Sequence, residues 1–191
     1  MKLVRRNGVI RARDLKEAGI PRVVLSRLCR RGLLVRTGRG LYVPVDIEPS
    51  EKHSLAEAQK KVPRGVVCLL SALRFHDLTT QAPFEVWMAI HPKARKPRFD
   101  HPPIRIVRFS GEALTFGVEE HRVEGVPVRV TSPAKTVADC FKYRNKIGLD
   151  VAIETLKDYR RSRAGTMDGL WRAAEVCRVL NVMRPYVYAI A

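Results

Sequence analysis

Residues 18–43, AGIPRVVLSRLCRRGLLVRTGRGLYV, decide the reading of the amino-terminal part. Residues 10–18 read as a short helix, with Leu15 and Ala18 three positions apart and facing inward, and Gly19 supplies the turn that ends it. Pro21 suits the first position of a second helix, where its missing N–H costs nothing. Val24, Leu25, Leu28 and Cys29 recur at helical spacing and mark one buried face, and Gly32 fits a left-handed terminator. Two β-prone runs follow, Leu33-Leu34-Val35-Arg36 and Leu41-Tyr42-Val43, joined by Thr37-Gly38-Arg39-Gly40. Two short helices across a glycine turn and then a hairpin are the parts of a winged helix-turn-helix, in order and at the right lengths.

The other face of the second helix carries the chemistry. Arg22, Ser26 and Arg30 stand at i, i+4 and i+8, flanked by Arg27 and Arg31. Guanidinium groups and a hydroxyl on one ridge suit guanine edges and phosphate oxygens in a major groove. Most basic helix faces are merely solvated; the turn spacing and the following hairpin argue for more here. The expected DNA-binding set is therefore Arg22, Ser26, Arg27 and Arg30 in the groove and Arg36 and Arg39 of the hairpin on the flanking backbone. Arg11 and Arg13, at the start of the preceding helix, are expected to grip phosphates.

Charge supports this placement. The chain of 191 residues has 36 Lys and Arg against 19 Asp and Glu, a net charge of +17. Residues 1–45 hold twelve of those cations and only two acids, Asp14 and Glu17, so more than half of the excess lies in under a quarter of the chain. Such an excess implies an anionic partner, a polyphosphate or an acidic membrane face. No apolar run approaches the ~20 residues of a spanning helix, which turns the expectation to double-stranded DNA and away from membrane. Pro44, Pro49 and two acids near residue 46 suggest a boundary, giving a winged-helix domain at residues 1–46 and a second domain at residues 52–191.

The second domain reads as α+β. Leu55, Ala58 and Val62 share a helix face within residues 54–62, and Ser71 is placed to cap a helix running to His76. Residues 84–90, 104–109, 118–123 and 126–130 read as strands of a mostly antiparallel sheet, with Glu124-Gly125 as a hairpin turn. The proline-rich, basic segment 92–103 is expected to be exposed and irregular. Ser132-Pro133 opens a helix in N-cap and first-turn positions, with Val137, Ala138, Cys140 and Phe141 inward. Two further helices, about 149–163 and 167–180, precede a short apolar tail.

Catalytic patterns do not emerge. Cys29, Cys68, Cys140 and Cys177 are scattered within apolar stretches, as expected of reduced core thiols in cytoplasm. The five histidines show no metal-ligand spacing, and no Gly-rich phosphate loop is present. Glu85 lacks the lysine that a metal-dependent nuclease strand carries; His76-Asp77 with Asp139 reads as a structural polar pair ahead of a functional contact. No catalytic residue, metal, cofactor or small-molecule substrate is expected. A nuclease or other enzyme targeted by the winged helix, and a module docking an acidic protein, are the alternatives.

Several segments carry a resemblance. Gly8-Val9-Ile10, Ala18-Gly19-Ile20, Arg30-Arg31-Gly32-Leu33-Leu34 and Arg39-Gly40-Leu41-Tyr42-Val43 resemble the amino-terminal domain of AbiEi-type antitoxins. Leu70-Ser71-Ala72-Leu73 and Ser132-Pro133-Ala134-Lys135-Thr136 resemble segments of the same family, so the likeness spans most of residues 8–160. Only Met1 to Asn7 stands where the family has a full first helix. The resemblance implies an antitoxin of type IV toxin–antitoxin and phage abortive-infection systems. Such a protein represses its own operon and counteracts a co-encoded nucleotidyltransferase-like toxin without a tight complex.

Overall fold

A computed structural model describes residues 9–38, 40–45, 50–97 and 101–190. The expectations for Arg39, for Met1 to Asn7 and for the boundary at residues 46–49 lie outside these. The amino-terminal elements are β1 (Ile10–Arg11), α1 (Ala12–Glu17), α2 (Val23–Arg30), β2 (Leu34–Gly38) and β3 (Leu41–Pro44). Strand β3 lies between β1 and β2, antiparallel to both.

Both helices end as their glycines dictate. Gly19 and Gly32 have φ of 69° and 67°. The N–H of Ile20 donates to Leu15 O and that of Gly19 to Lys16 O, and the same two bonds recur from Leu33 to Leu28 and from Gly32 to Cys29. This paired closure satisfies the last carbonyls of each helix and needs a left-handed residue at its centre. Between them the two glycines set where α1 stops, where α2 stops and where the hairpin departs.

Two details differ from the sequence reading. Residues 10 and 11 are strand, not helix, because Ile10 and Arg11 find backbone partners in Tyr42 and Leu41, thirty residues away. Ala18 is exposed at the end of α1, so Leu15 alone carries that helix's buried contact. Ile10, Leu15, Leu25 and Leu34 form the small core beneath α2.

The remainder is three-layered and built on one five-stranded sheet. Its elements are α3 (His53–Lys61), β4 (Val66–Val67), α4 (Leu69–Phe75), β5 (Val86–Ile90), β6 (Ile104–Arg108), a 3-10 turn at Gly111–Leu114, β7 (Val118–Val123) and β8 (Val126–Thr131). Then come α5 (Pro133–Lys142), α6 (Arg144–Ile147), α7 (Leu149–Arg161), α8 (Met167–Val176) and α9 (Leu180–Ala189). The strand order is β6-β5-β4-β8-β7. The expected hairpin of β7 and β8 is antiparallel and turns through Glu124 and Gly125, both at positive φ as a tight two-residue turn requires. β4 and β5 are also antiparallel, whereas β5–β6 and β4–β8 pair in parallel, so the sheet is mixed.

Alternation along the central strands divides the core. Val66, Trp87, Ala89 and Val107 face the carboxy-terminal helices, while Val67, Val86, Met88 and Val128 face α3. Val9, just before β1, and Leu41 and Val43 of β3 join this second cluster, so the two parts share packing. Ser132 accepts from the Lys135 N–H as N-cap of α5, with Pro133 at the first position. Ser71 is not a cap: it lies inside α4, where its hydroxyl accepts the Trp87 N–H at 2.9 Å and ties helix to sheet. The tail beyond Leu180 is helical despite Pro185, because Met183 and Val187, four apart, are buried on the core.

Candidate nucleic-acid interface

Helix α2 buries Leu25 and leaves Arg22, Ser26, Arg27, Arg30 and Arg31 exposed. The ridge spacing of the sequence is thus realised, and none of these arginines meets a carboxylate among the described residues. Uncompensated cations on a rigid helix repel one another at some cost, and a polyanion relieves that cost. Arg36 projects from β2 and donates from Nε to Gly38 O at 3.2 Å, which orients it along the hairpin. Lys16, absent from the expected set, lines with Arg13 and Arg22 a cleft of about 570 Å³ between α1 and α2. Its signal was present in the three-residue spacing from Arg13.

Arg13 is exposed, its Nε 3.8 Å from Asp14. Arg11 is different. Its guanidinium donates to the Lys60 carbonyl, and its main-chain N–H donates to Asp14 Oδ2 at 3.0 Å. Burial and the neighbouring Arg13 lower its pKa, with Asp14 opposing. The strand position of Arg11 turns its side chain towards α3, where it joins the two parts of the molecule, unlike the exposed Arg13.

The same joint holds a polar network. Lys60 Nζ lies 2.6 Å from Asp14 Oδ2. The Thr37 hydroxyl, at the β2 bulge, donates to Glu57, which is buried in α3. His53 sits between Glu57 and Glu124, with Nδ1 2.7 Å from Glu124 Oε2 and Nε2 3.6 Å from Glu57 Oε1. Glu57 and then Glu124 overcome the effect of burial and raise the His53 pKa to about 9. Burial alone would push both carboxyls up; His53, with Thr37 on Glu57 and Ser50 on Glu124, holds them below their ordinary value. Thr37 is thereby fixed, and the hairpin with it.

The anticipated polar pairing of His76-Asp77 with Asp139 does not form. His76 Nε2 meets Thr131 O at 2.7 Å, and Asp77 is exposed. Asp139 instead pairs with Lys135 inside the core, where Cys177 donates to it at 3.3 Å. Its other oxygen, Oδ2, is buried without a hydrogen-bond partner. Burial raises the Asp139 pKa against the pull of Lys135. The four cysteines are free thiols, three of them buried. No cluster of three or more metal-ligating side chains occurs among the described residues. No helix among the described residues is long and apolar enough to cross a membrane.

Comparison with known proteins agrees with this geometry. The crystal structure of the RV2827C protein from Mycobacterium tuberculosis is similar, with a TM-score of 0.61 and 16% identity over 97% of this chain and 72% of that one. At that identity the likeness is one of fold. No curated protein matches the chain. Residues 1–45 match the family described as "Transcriptional regulator, AbiEi antitoxin"; the related motifs at residues 70–73 and 132–136 fall beyond the matched segment. The matched segment contains the helix-turn-helix and its hairpin.

Proposed function

We propose that the protein is a cytoplasmic, sequence-specific DNA-binding antitoxin that represses its own operon and counteracts a co-encoded nucleotidyltransferase-like toxin. The observation that carries this reading is the exposed ridge of Arg22, Ser26, Arg27 and Arg30 along α2 and its N-cap, without a carboxylate partner among the described residues and bordered by a fixed hairpin. Helix α2 enters the major groove, Arg36 follows the adjacent backbone, and Arg13 with Lys16 meets phosphates across α1. Its work is binding; no residue is assigned a catalytic role.

Gel shifts on DNA from upstream of its own gene, across a salt series, test the reading. Neutralising about five phosphates gives a log–log slope near −4 to −5, and a flat response overturns it. Arg22→Ala costs about 1–3 kcal/mol and relaxes preference at one base pair where it reads guanine. Equal loss on every sequence assigns Arg22 to the backbone instead. For the antitoxin role, co-expression with the neighbouring toxin restores growth, and the absence of rescue removes that half of the proposal.

A further inference from the structure

Beyond the helix-turn-helix, a second cationic surface lies on the carboxy-terminal part. A cleft of about 680 Å³ is lined by Arg13, Lys61, Arg64, His91, Lys93 and Arg95, with no carboxylate in its lining. Ile90 and Leu114 contribute apolar surface to it. Arg13 belongs to α1, so the cleft is continuous with the surface that crosses the DNA backbone in the proposed complex.

The loop bearing Lys93 and Arg95 is held in shape from behind. Arg108 Nη1 donates to the carbonyls of His91 at 3.1 Å and Ala94 at 3.0 Å, and also to that of Pro92. The Lys93 N–H donates to His91 Nδ1 at 3.2 Å, and the Tyr143 hydroxyl donates to the Arg108 carbonyl at 2.9 Å. One guanidinium gathers three loop carbonyls on one side while Lys93 and Arg95 stay exposed. A cation-bearing loop ordered in advance loses little freedom when it meets an anion.

We propose that this cleft binds the phosphodiester backbone of the duplex flanking the helix-turn-helix site, so that the DNA continues from α1 onto the carboxy-terminal part. The proposal rests on the DNA-binding reading above. Phosphates meet the lysine and arginine side chains, and the apolar floor lies under the sugars. Contacts of this kind add affinity and fix the path of the duplex without reading bases.

The test uses the full chain and duplexes that it selects from a random pool, each prepared at about 12 and about 30 base pairs, roughly one and three helical turns. The variant Arg64→Gln/Lys93→Gln/Arg95→Gln changes exposed residues only. It binds the short duplex as wild type does. On the long duplex it binds about 10–100-fold more weakly, with a salt slope shallower by about 2–3. Its hydroxyl-radical footprint shortens on one flank. Unchanged affinity on the long duplex, or equal loss on both lengths, overturns the proposal.

Arg22→Ala/Ser26→Ala separates this from the parent reading. Loss on both lengths supports the helix-turn-helix. If that variant binds both lengths as wild type does, while the cleft variant weakens the long duplex alone, the cleft stands and the helix-turn-helix reading falls. Wild-type binding to poly-glutamate with none to duplex DNA overturns both.

Discussion

Helix α2 and helix α5 treat positive charge in opposite ways. On α2 and its N-cap, arginines 22, 27 and 30 stand in solvent with no ion-pair partner among the described residues. On α5, Lys135 is fully buried and matched one turn later by Asp139. An exposed cation that nothing neutralises is held ready for something outside the molecule, whereas a buried one is tied to the interior. Counting lysines and arginines in a sequence merges these populations; the structure separates them.

Breaking the buried pair has the largest expected effect. Asp139→Ala strands Lys135 in the core and destabilises the protein by about 3–5 kcal/mol. Lys135→Met combined with Asp139→Leu recovers most of that loss, because two apolar groups remove both desolvation penalties. Urea midpoints of the three proteins measure this, and a mild Asp139→Ala would show that the pair contributes little. Arginine-to-glutamine changes on α2 leave the stability derived from the same titrations within about 0.5 kcal/mol, as surface changes do.

The joint between the two regions gives a pH-dependent contrast. His53 has a folded-state pKa near 9, above its ordinary 6.5, so its contribution is complete below pH 6.5 and is lost as pH rises through 9. Glu57 and Glu124 behave in the opposite sense: their contribution is complete above 4.5 and is lost on acidification through their lowered values. Relative to His53→Gln, the wild-type protein should lose on the order of 2 kcal/mol between pH 6 and pH 10. A constant difference across that range would show that the histidine is not charged in the joint.

A smaller effect sharpens the picture of the exposed helix. Gly32→Ala adds a methyl that meets nothing within 4 Å, yet forces a residue with a side chain to φ near 67°. The cost is about 1 kcal/mol, from backbone conformation alone. Hydrogen exchange should rise in residues 23–36 with the rest unchanged. Faster exchange across the whole chain would tie the end of α2 to global stability instead.

Local signals carried most of the reading. Gly19, Gly32, Ser132-Pro133 and Glu124-Gly125 act through their own backbones, and each lies where its chemistry required. The run Val86-Trp87-Met88-Ala89-Ile90 is apolar throughout, as befits a strand covered on both faces. What escaped depends on distant partners. Strand β1 exists through Tyr42 and Leu41, and the parallel pairings of β4 with β8 and β5 with β6 join segments that no alternation pattern links. Ser71 looked like a cap because its hydroxyl's partner, Trp87, is sixteen residues on. The segment after residue 180 read only as an apolar tail, yet Met183 and Val187 anchor it as a helix despite Pro185. Among the candidate residues, the shared exposed face of Arg22, Ser26, Arg27 and Arg30 was legible from helical spacing; the direction of the Arg11 side chain was not, since it follows from a strand that only long-range pairing creates.

Val9, Leu41 and Val43 lie in the same cluster as Leu55 and Ala58 of α3 and Val62 just after it. The helix-turn-helix is consequently no interchangeable cassette. Grafted onto another carrier without α3, residues 9–45 would expose three apolar side chains and lose the seat of Thr37. Evolution can change the outer ridge of α2 one arginine at a time, but can exchange the whole segment only together with the helix that supports it.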